Sequence, residues 1–365
     1  LAARRLGLPA NDPPAMAAAA NKLLMRQRLA AALGTSAAAR IPELRQPRFL
    51  TVDRRRERDP AAIARRVLAA EGVGFPCVVK PLALSGSRGV MRADDPDGLA
   101  AALERLGRLL DELARGPRGH AHDGGDADAD AHVLIESFLS GREYALEGLL
   151  TDGALEVLAL FDKPDPLDGP YFEETIYVTP SRLPEADQRR IAAAVSTAAA
   201  ALGLRTGPIH AEVRLDPAGT LPPAIVEIAA RPIGGLCARS LRFEGGLGLE
   251  DVMVRHALGI RERPVREQCA SGVMMIPIPT PVAAVLRGVD GVARAHEVAG
   301  VSDVVIAPRI GETVVPLPEG NRYLGFIFAS GEAPEDVEAA LREAARRLDF
   351  SFGPLLPIAN KSPST

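Results

Sequence analysis

The sequence predicts an α+β protein built from two or three subdomains, and three observations carry that reading. Its 365 residues are too many for one small core. Short β-branched runs such as FPCVVKP (75–81) and IHAEVRLD (209–216) are interleaved with Ala- and Leu-rich helical stretches. From Gly272 onward the mixture repeats on a smaller scale. Strands at GVMMIPIP, SDVVIAP and YLGFIFAS, then a helix from Ala333 to Leu348, read as a small α+β C-terminal module.

In chain order, residues 15–33 (AMAAAANKLLMRQRLAAAL) form one helical pattern stopped by Gly34. Arg40 to Val52 reads as loop and short strand, RRRER (54–58) as a solvated surface stretch, and Pro60 to Ala70 as a helix. FPCVVKP is a strand, LSGSRGV (84–90) a loop, and Pro96 to Leu113 a helix. The tract RGPRGHAHDGGDADADAH (115–132) has no periodicity; its His and Asp residues invite a metal reading, but the composition is that of a flexible insertion. HVLIESFL (132–139), REYALEGLL (142–150) and ALEVLALF (154–161) are strands, and ETIYVTP (174–180) is extended. Pro184 to Leu204 is a helix with Pro in its first turn and Gly203 as its C-cap. IHAEVRLD and AIVEIAAR (224–231) flank the turn signal PAGTLPP, and Glu250 to Leu258 is a short helix.

Composition excludes several classes of function. A net charge of −4 and a pI near 6.0 leave no basic footprint, so nucleic acid is not an expected partner. Three cysteines without CxxC spacing fit core positions in a reducing cytoplasm better than a disulfide scaffold or zinc site. The longest apolar run, Ile191 to Leu204, is too short to span a bilayer, so no membrane is expected, and no signal-peptide pattern occurs. A homodimer is left open. The opening segment LAARRLGLPANDP reads as the end of a helix and a loop, so a further N-terminal portion is expected before it.

The chemistry starts from AIVEIAARPIGG (224–235). Ala224, Val226 and Ile228 read as one buried strand face, leaving Glu227, Ala229 and Arg231 on the other. An antiparallel hairpin centred between Gly219 and Thr220 places Glu212 opposite Glu227 and His210 opposite Ala229. Like charges directly across a ladder repel. A divalent cation shared by the two carboxylates removes the conflict, and two acids plus oxygens from water and phosphate suit Mg²⁺. Arg231, fork-shaped and always charged, suits a phosphoryl or carboxylate oxygen nearby. Neither GxxxxGK[ST] nor a strand–GxGxxG–helix occurs. Lys80 at a strand end, followed by a loop with Gly86 and Gly89, offers a point charge and freed backbone N–H groups for a polyphosphate.

The order of NK (21–22), VVKP with LSGSRGV, IESFLSGREYALEG, and HAEVRLD with IVEIAARPIGG resembles the ATP-grasp superfamily of carboxylate–amine ligases, from about Asn21 to Ile260. The segment GVMMIPIP to GETVVPLPEGNRYLGFIFASG is similar to the C-terminal domain of its L-amino-acid ligase branch. The resemblance implies an ATP-grasp fold, two α+β subdomains clasping ATP, with the small C-terminal module. It divides the chain into the tail of an otherwise missing Rossmann-like domain (1–20), leading helices (21–74), a lid subdomain (75–139), a core subdomain with the metal site (140–262) and the C-terminal module (263–365).

Carried onto this sequence, the resemblance assigns Lys22 and Lys80 to ATP, and Ser85, Gly86, Ser87, Arg88 and Gly89 to a lid over the γ-phosphate. Glu136, Ser137, Phe138 and Leu139 become the hinge meeting adenine, and Glu143 meets the ribose. Glu212 and Glu227 hold Mg²⁺, with Mn²⁺ as an alternative, and Arg231 is catalytic. Gly234 and Gly235 let substrate approach the backbone, Glu173 or Glu174 meets its amino group, and residues 161–181 resemble the substrate-covering segment. The implied reaction joins a carboxylate and an amine, both amino acids, into a dipeptide-like amide through an acyl-phosphate, releasing ADP and phosphate. Two departures stand out: Ala229 where the superfamily often has Asn, and Tyr177 near a substrate-facing His of some relatives. The rival readings are a biotin-carboxylase-like enzyme making carboxyphosphate, disfavoured by RPIGGL after Arg231, and an ATP-binding module without turnover.

Overall fold

The structure is a computed structural model that describes residues 5–34, 44–69, 72–115, 129–267 and 269–355. Most of the His/Asp-rich tract, residues 116–128, lies outside the described residues.

The N-terminal helical pattern is divided into α1 (Pro13–Ala20) and α2 (Lys22–Gly34). Between them Asn21 has extended backbone (φ −127°, ψ 115°), and its side-chain oxygen accepts from the N–H groups of Leu23 and Leu24 at 3.0 and 3.2 Å. Asn competes with a continuing helix by satisfying the orphan amides of a new one. The single helix expected over 15–33 is therefore a broken pair, and the break brings Lys22 to a helix start.

A four-stranded antiparallel sheet contains β1 (Phe49–Asp53), β2 (Cys77–Pro81), β3 (Met91–Ala93) and β4 (His132–Ser137), in the order β1-β4-β2-β3. Helices α3 (Pro60–Ala69) and α4 (Pro96–Arg115) cover it through a core that includes Val52, Val67, Val79, Leu99, Leu106 and Ile135. The apolar stripe of α4 (Leu99, Ala102, Leu106, Leu109, Leu110) has the spacing of one helix face.

The larger sheet is built from β5 (Arg142–Thr151), β6 (Ala154–Asp162), β7 (Ile176–Thr179), β8 (Gly207–Leu215) and β9 (Ala224–Ala229), with helix α5 (Glu185–Leu202) between β7 and β8. After the two-residue strands β10 (Arg242–Phe243) and β11 (Leu247–Gly248) and helix α6 (Leu249–Ala257) come β12 (Ala270–Ile276), β13 (Ala284–Asp290), α7 (Val292–His296), β14 (Val301–Ile306), β15 (Thr313–Val314), β16 (Gly325–Gly331), α8 (Pro334–Arg346) and β17 (Asp349–Pro354). Eight strands share one sheet in the order β14-β16-β12-β7-β6-β5-β8-β9. It therefore runs across the boundary drawn at residues 262 and 263, and β15-β13-β17 form a separate three-stranded sheet. Strands β13 and β17 escaped the sequence reading because their residues are mostly half-exposed and weakly patterned.

One face of the large sheet packs on α5. Leu146, Leu150, Ile209, Ala211, Val213, Ile225 and Ile228 meet Ile191, Val195, Ala198 and Leu202 in one cluster. Alanines on α5 let it lie close, and Gly203 ends it at φ 79°, its N–H reaching the carbonyls of Ala199 and Ala200. Because strand side chains alternate, anchoring this face fixes what the opposite face presents.

Candidate active site

The opposite face presents charge. On β5 it carries Glu143 and Glu147; on β8, His210, Glu212 and Arg214; on β9, Glu227. The ladder pairs Glu143 with Arg214 and Glu147 with His210. It pairs Glu212 with Glu227 and His210 with Ala229, the register that the hairpin arithmetic predicts. One residue further the register slips: Val213 faces Ile225 through a β-bulge. The bulge puts Ile225 and Ile228 against α5 and turns Val226 into the cavity beside Glu227. The buried face expected as Ala224, Val226 and Ile228 is corrected accordingly.

All of these side chains except the buried Glu147 line a cavity of about 830 Å³ between the two sheets. Of the residues singled out in the sequence, it is lined by Lys22, Lys80, Ser85, Gly86, Ser87, Arg88, Glu136, Ser137, Phe138, Leu139, Glu143, Glu174, Glu212, Glu227, Arg231, Gly234 and Gly235. Two are absent from its wall. Gly89 faces inward, where an added Cβ would lie 2.9 Å from Leu106 and 3.2 Å from Pro81. Glu173 sits half-buried to the side, and burial raises its carboxyl pKa despite a hydrogen bond at the Ile278 backbone.

Lys22 Nζ donates to the Leu84 carbonyl at 2.7 Å and lies 3.2 Å from Glu227 Oε2, tying the lid loop's start to β9. Lys80 and Glu136 are diagonal neighbours on β2 and β4, 2.7 Å apart. Arg26 on α2, fully buried, holds the other oxygen of Glu136 at 2.5 Å and donates to the carbonyls of Ile225 and Val226. Burial alone would raise the Glu136 pKa, but the two cations outweigh it and hold the carboxyl down at about 2. The Glu136 carboxylate is thus spent on orienting Lys80 rather than turned to a ligand, and any adenine contact of the 136–139 hinge falls to its backbone and to Phe138 and Leu139.

Glu143 is engaged too. Its carboxylate meets Lys163 at 2.6 Å and Arg214 at 2.8 Å. Lys163 also lies 2.8 Å from Glu174 and 3.1 Å from Glu212. Tyr177 donates to Glu174 at 2.6 Å. Burial, with Glu212 nearby, raises the Glu174 pKa to about 7 although Lys163 opposes it. His210 contacts Glu147 and lies 3.7 Å from Glu212. Burial would lower its pKa, but Glu147 and Glu212 outweigh that and raise it to about 10, so the ring is an imidazolium at neutral pH. Glu147 uses its other oxygen to accept from the Ile233 N–H at 3.1 Å, anchoring the turn that carries Arg231.

Arg231 itself is exposed to the cavity, and its guanidinium donates to the Pro232 carbonyl. Among the described residues it has no carboxylate partner. Beyond it Gly235, at φ +63°, lies against Phe326, where a Cβ would approach the ring to 3.3 Å. The lid loop turns at Gly86 (φ 63°), Ser87 (φ 54°) and Gly89 (φ 72°). The Gly89 N–H donates to Pro318 O and Arg88 Nε to Glu319 O, each at 2.8 Å, so the C-terminal module closes onto the lid.

Sequence reading missed Arg26, Glu147, Lys163, His210 and Arg214. The signal for three was present: Glu147 is two steps beyond Ala145 on the face of Glu143, and His210 and Arg214 flank Glu212 at period two. Arg26 and Lys163 reach the site through tertiary contacts, and nothing in their local sequence marks them.

Two family descriptions match this chain: the ATP-grasp domain over residues 73–240, and the L-amino acid ligase C-terminal domain 2 over residues 277–353. Residues 73–240 of this chain thus match an ATP-grasp domain. The crystal structure of L-amino acid ligase from Bacillus licheniformis superposes on this chain with a TM-score of 0.74 at 26% identity, covering 96% of this chain and 77% of that one. The uncharacterized protein y4rH of Sinorhizobium fredii (strain NBRC 101917 / NGR234) is 25% identical over 367 residues, 99% of this chain and 67% of its own length. The alanine–anticapsin ligase of Bacillus subtilis (strain 168) is 26% identical over 198 residues, covering 51% of this chain. This chain spans 39% of that ligase's length. Among the described residues no helix is long and apolar enough to cross a membrane.

Proposed function

We propose that this ATP-grasp protein is an ATP-dependent carboxylate–amine ligase that joins two amino acids into a dipeptide-like amide. The observation that carries the reading is the register of Glu212 opposite Glu227 on a charged face, with Lys22, Lys80 and Arg231 lining the same cavity. Two carboxylates across one ladder, 19% and 31% exposed, keep lone pairs open to an ion, which is the donor set Mg²⁺ takes beside a polyphosphate. Mn²⁺ would fit the same oxygens. A nucleotide fits a cavity of this size whose cations include Lys22, Lys80 and Arg88 and whose apolar walls include Val78 and Leu139.

ATP supplies a phosphoryl group that makes a carboxylate a competent acyl donor, and a divalent ion screens the charge of that transfer. Glu212 and Glu227 hold the ion. Lys22 and Lys80 bind phosphate oxygens, and the fixed Glu136 keeps Lys80 aimed. Arg231, free of a carboxylate partner among the described residues, stabilises negative charge on the transferring group and then on the acyl-phosphate oxygens. The amine displaces phosphate at the acyl carbon. Glu174 and the glycines at 234 and 235 face the cavity where that amine and its backbone bind. The lid, docked on the C-terminal module, excludes water that would hydrolyse the intermediate. Similarity to the named ligases supports the class of reaction, and the cavity's acid, base and apolar wall support amino acids as its substrates.

Incubation of the protein with ATP, Mg²⁺ and pairs of L-amino acids should release phosphate and ADP and give a condensation product by mass spectrometry. ADP formation that requires bicarbonate instead of an amine would replace this reading with the carboxyphosphate one. Nucleotide binding without turnover across a broad panel would replace it with a binding module.

A further inference from the structure

Single oxygens of Glu143, Glu174 and Glu212 lie within 4.8 Å of one another, close enough to hold a metal ion. That trio shares Glu212 with the Glu212–Glu227 pair but lies on its other side, toward β5 and Glu174. At its centre stands an ammonium: Lys163 Nζ is 2.6 Å from Glu143, 2.8 Å from Glu174 and 3.1 Å from Glu212. Three N–H donors meet three carboxylate acceptors, so the lysine is fully satisfied. Its side chain is 4% exposed, and Nζ lies 4.9 Å from the centre of the Tyr177 ring, a cation–π contact.

The surrounding groups hold this arrangement in place. Glu143 Oε2 accepts from Arg214 Nε at 2.8 Å, and Glu174 Oε2 from the Tyr177 hydroxyl at 2.6 Å. Glu143 and Glu174 therefore have both oxygens engaged. Both Lys163 and His210 approach Glu212 through the same atom, Oε1. Without the ammonium, three carboxylates this close would repel one another strongly in a buried site, and a divalent cation would be drawn in to relieve them.

We infer that Lys163 is a built-in cation that occupies the Glu143–Glu174–Glu212 trio and so confines divalent metal to the Glu212–Glu227 edge, where phosphate would lie. The inference rests on the reading of Glu212 and Glu227 as metal ligands. Lys163 is a positioning residue: it fixes three carboxylates and keeps their oxygens from an ion.

The test is a count of Mn²⁺ ions by electron paramagnetic resonance on nucleotide-free protein. The Lys163→Met variant is expected to bind one more Mn²⁺ per chain than wild type. Adding Glu174→Gln to that variant should remove the extra ion, and Lys163→Arg, which keeps the charge, should add none. Equal counts for wild type and Lys163→Met would overturn the inference. So would an ion on nucleotide-free wild type that Glu174→Gln removes, and this arm reads even where Lys163→Met does not fold. Failure of the underlying metal-ligand reading looks different: Mn²⁺·ATP binding would survive Glu227→Gln while the count difference at Lys163 persisted.

Discussion

Glu212 faces Glu227 across the β8–β9 ladder, each with a lysine on its carboxylate: Lys163 on the first and Lys22 on the second. Two acids opposed in this way cost stability unless cations compensate, and the two lysines supply that compensation in the absence of a ligand. Replacing Glu227 by Gln removes one proposed metal-binding charge, one repulsion and the ion-pair partner of Lys22 together. The expected outcome is a fall in ATP turnover of ~10²-fold or more, with the melting temperature unchanged or raised. Steady-state phosphate release and thermal denaturation check the two halves.

Glu136 makes a stability claim. Its carboxylate, 3% exposed, is shared between Arg26 and Lys80. Glu136→Gln leaves two buried cations with a neutral partner, and breaking such a site costs ~3–5 kcal/mol. The pH dependence has a definite sign. A carboxyl held at about 2 when folded contributes stability fully above its ordinary value of 4.5 and loses it as pH falls through 2. Urea titrations from pH 5 downward should show wild-type stability falling through this window and the Gln variant losing that contribution.

His210 titrates the other way. An imidazole raised to about 10 contributes stability that is complete below its ordinary 6.5 and is lost as pH rises through 10. The His210 ring resonances in NMR spectra should stay in the charged position through neutral pH. Glu147→Gln, which removes the larger of the two carboxylate influences, should bring the titration down toward the ordinary value.

The clasp between lid and C-terminal module predicts a kinetic effect. Glu319 is held by Arg105 through two bonds of 2.5 and 2.8 Å, while its backbone carbonyl accepts from Arg88. Both members of the ion pair are about a third exposed, so Glu319→Ala should cost no more than ~1 kcal/mol of stability. It should nonetheless loosen residues 84–90, giving faster amide exchange there and a several-fold higher KM for ATP.

The hairpin register was legible because it depends on two local facts, a turn signal and strand alternation. It held from Glu212 to His210 and failed at Val213, where the bulge at Val226 leaves both Ile225 and Ile228 in the core against α5. The loop at residues 84–90, α5 and its glycine cap were legible for the same local reasons. What could not be read was who neutralises whom. Glu136 and Glu143 looked available for a nucleotide, yet the structure engages them with Arg26, Lys80, Lys163 and Arg214, the first of them 110 positions away. Charge pairing at that range is a property of the assembled sheets.

The central claim, that an amide forms through an acyl-phosphate, has a direct measurement. With an amino-acid pair that supports turnover, the donor carboxylate is labelled with ¹⁸O and the released phosphate is analysed by mass spectrometry. The account predicts that phosphate carries one ¹⁸O per turnover, taken from the carboxylate as the amide forms. Product formed with unlabelled phosphate would contradict it.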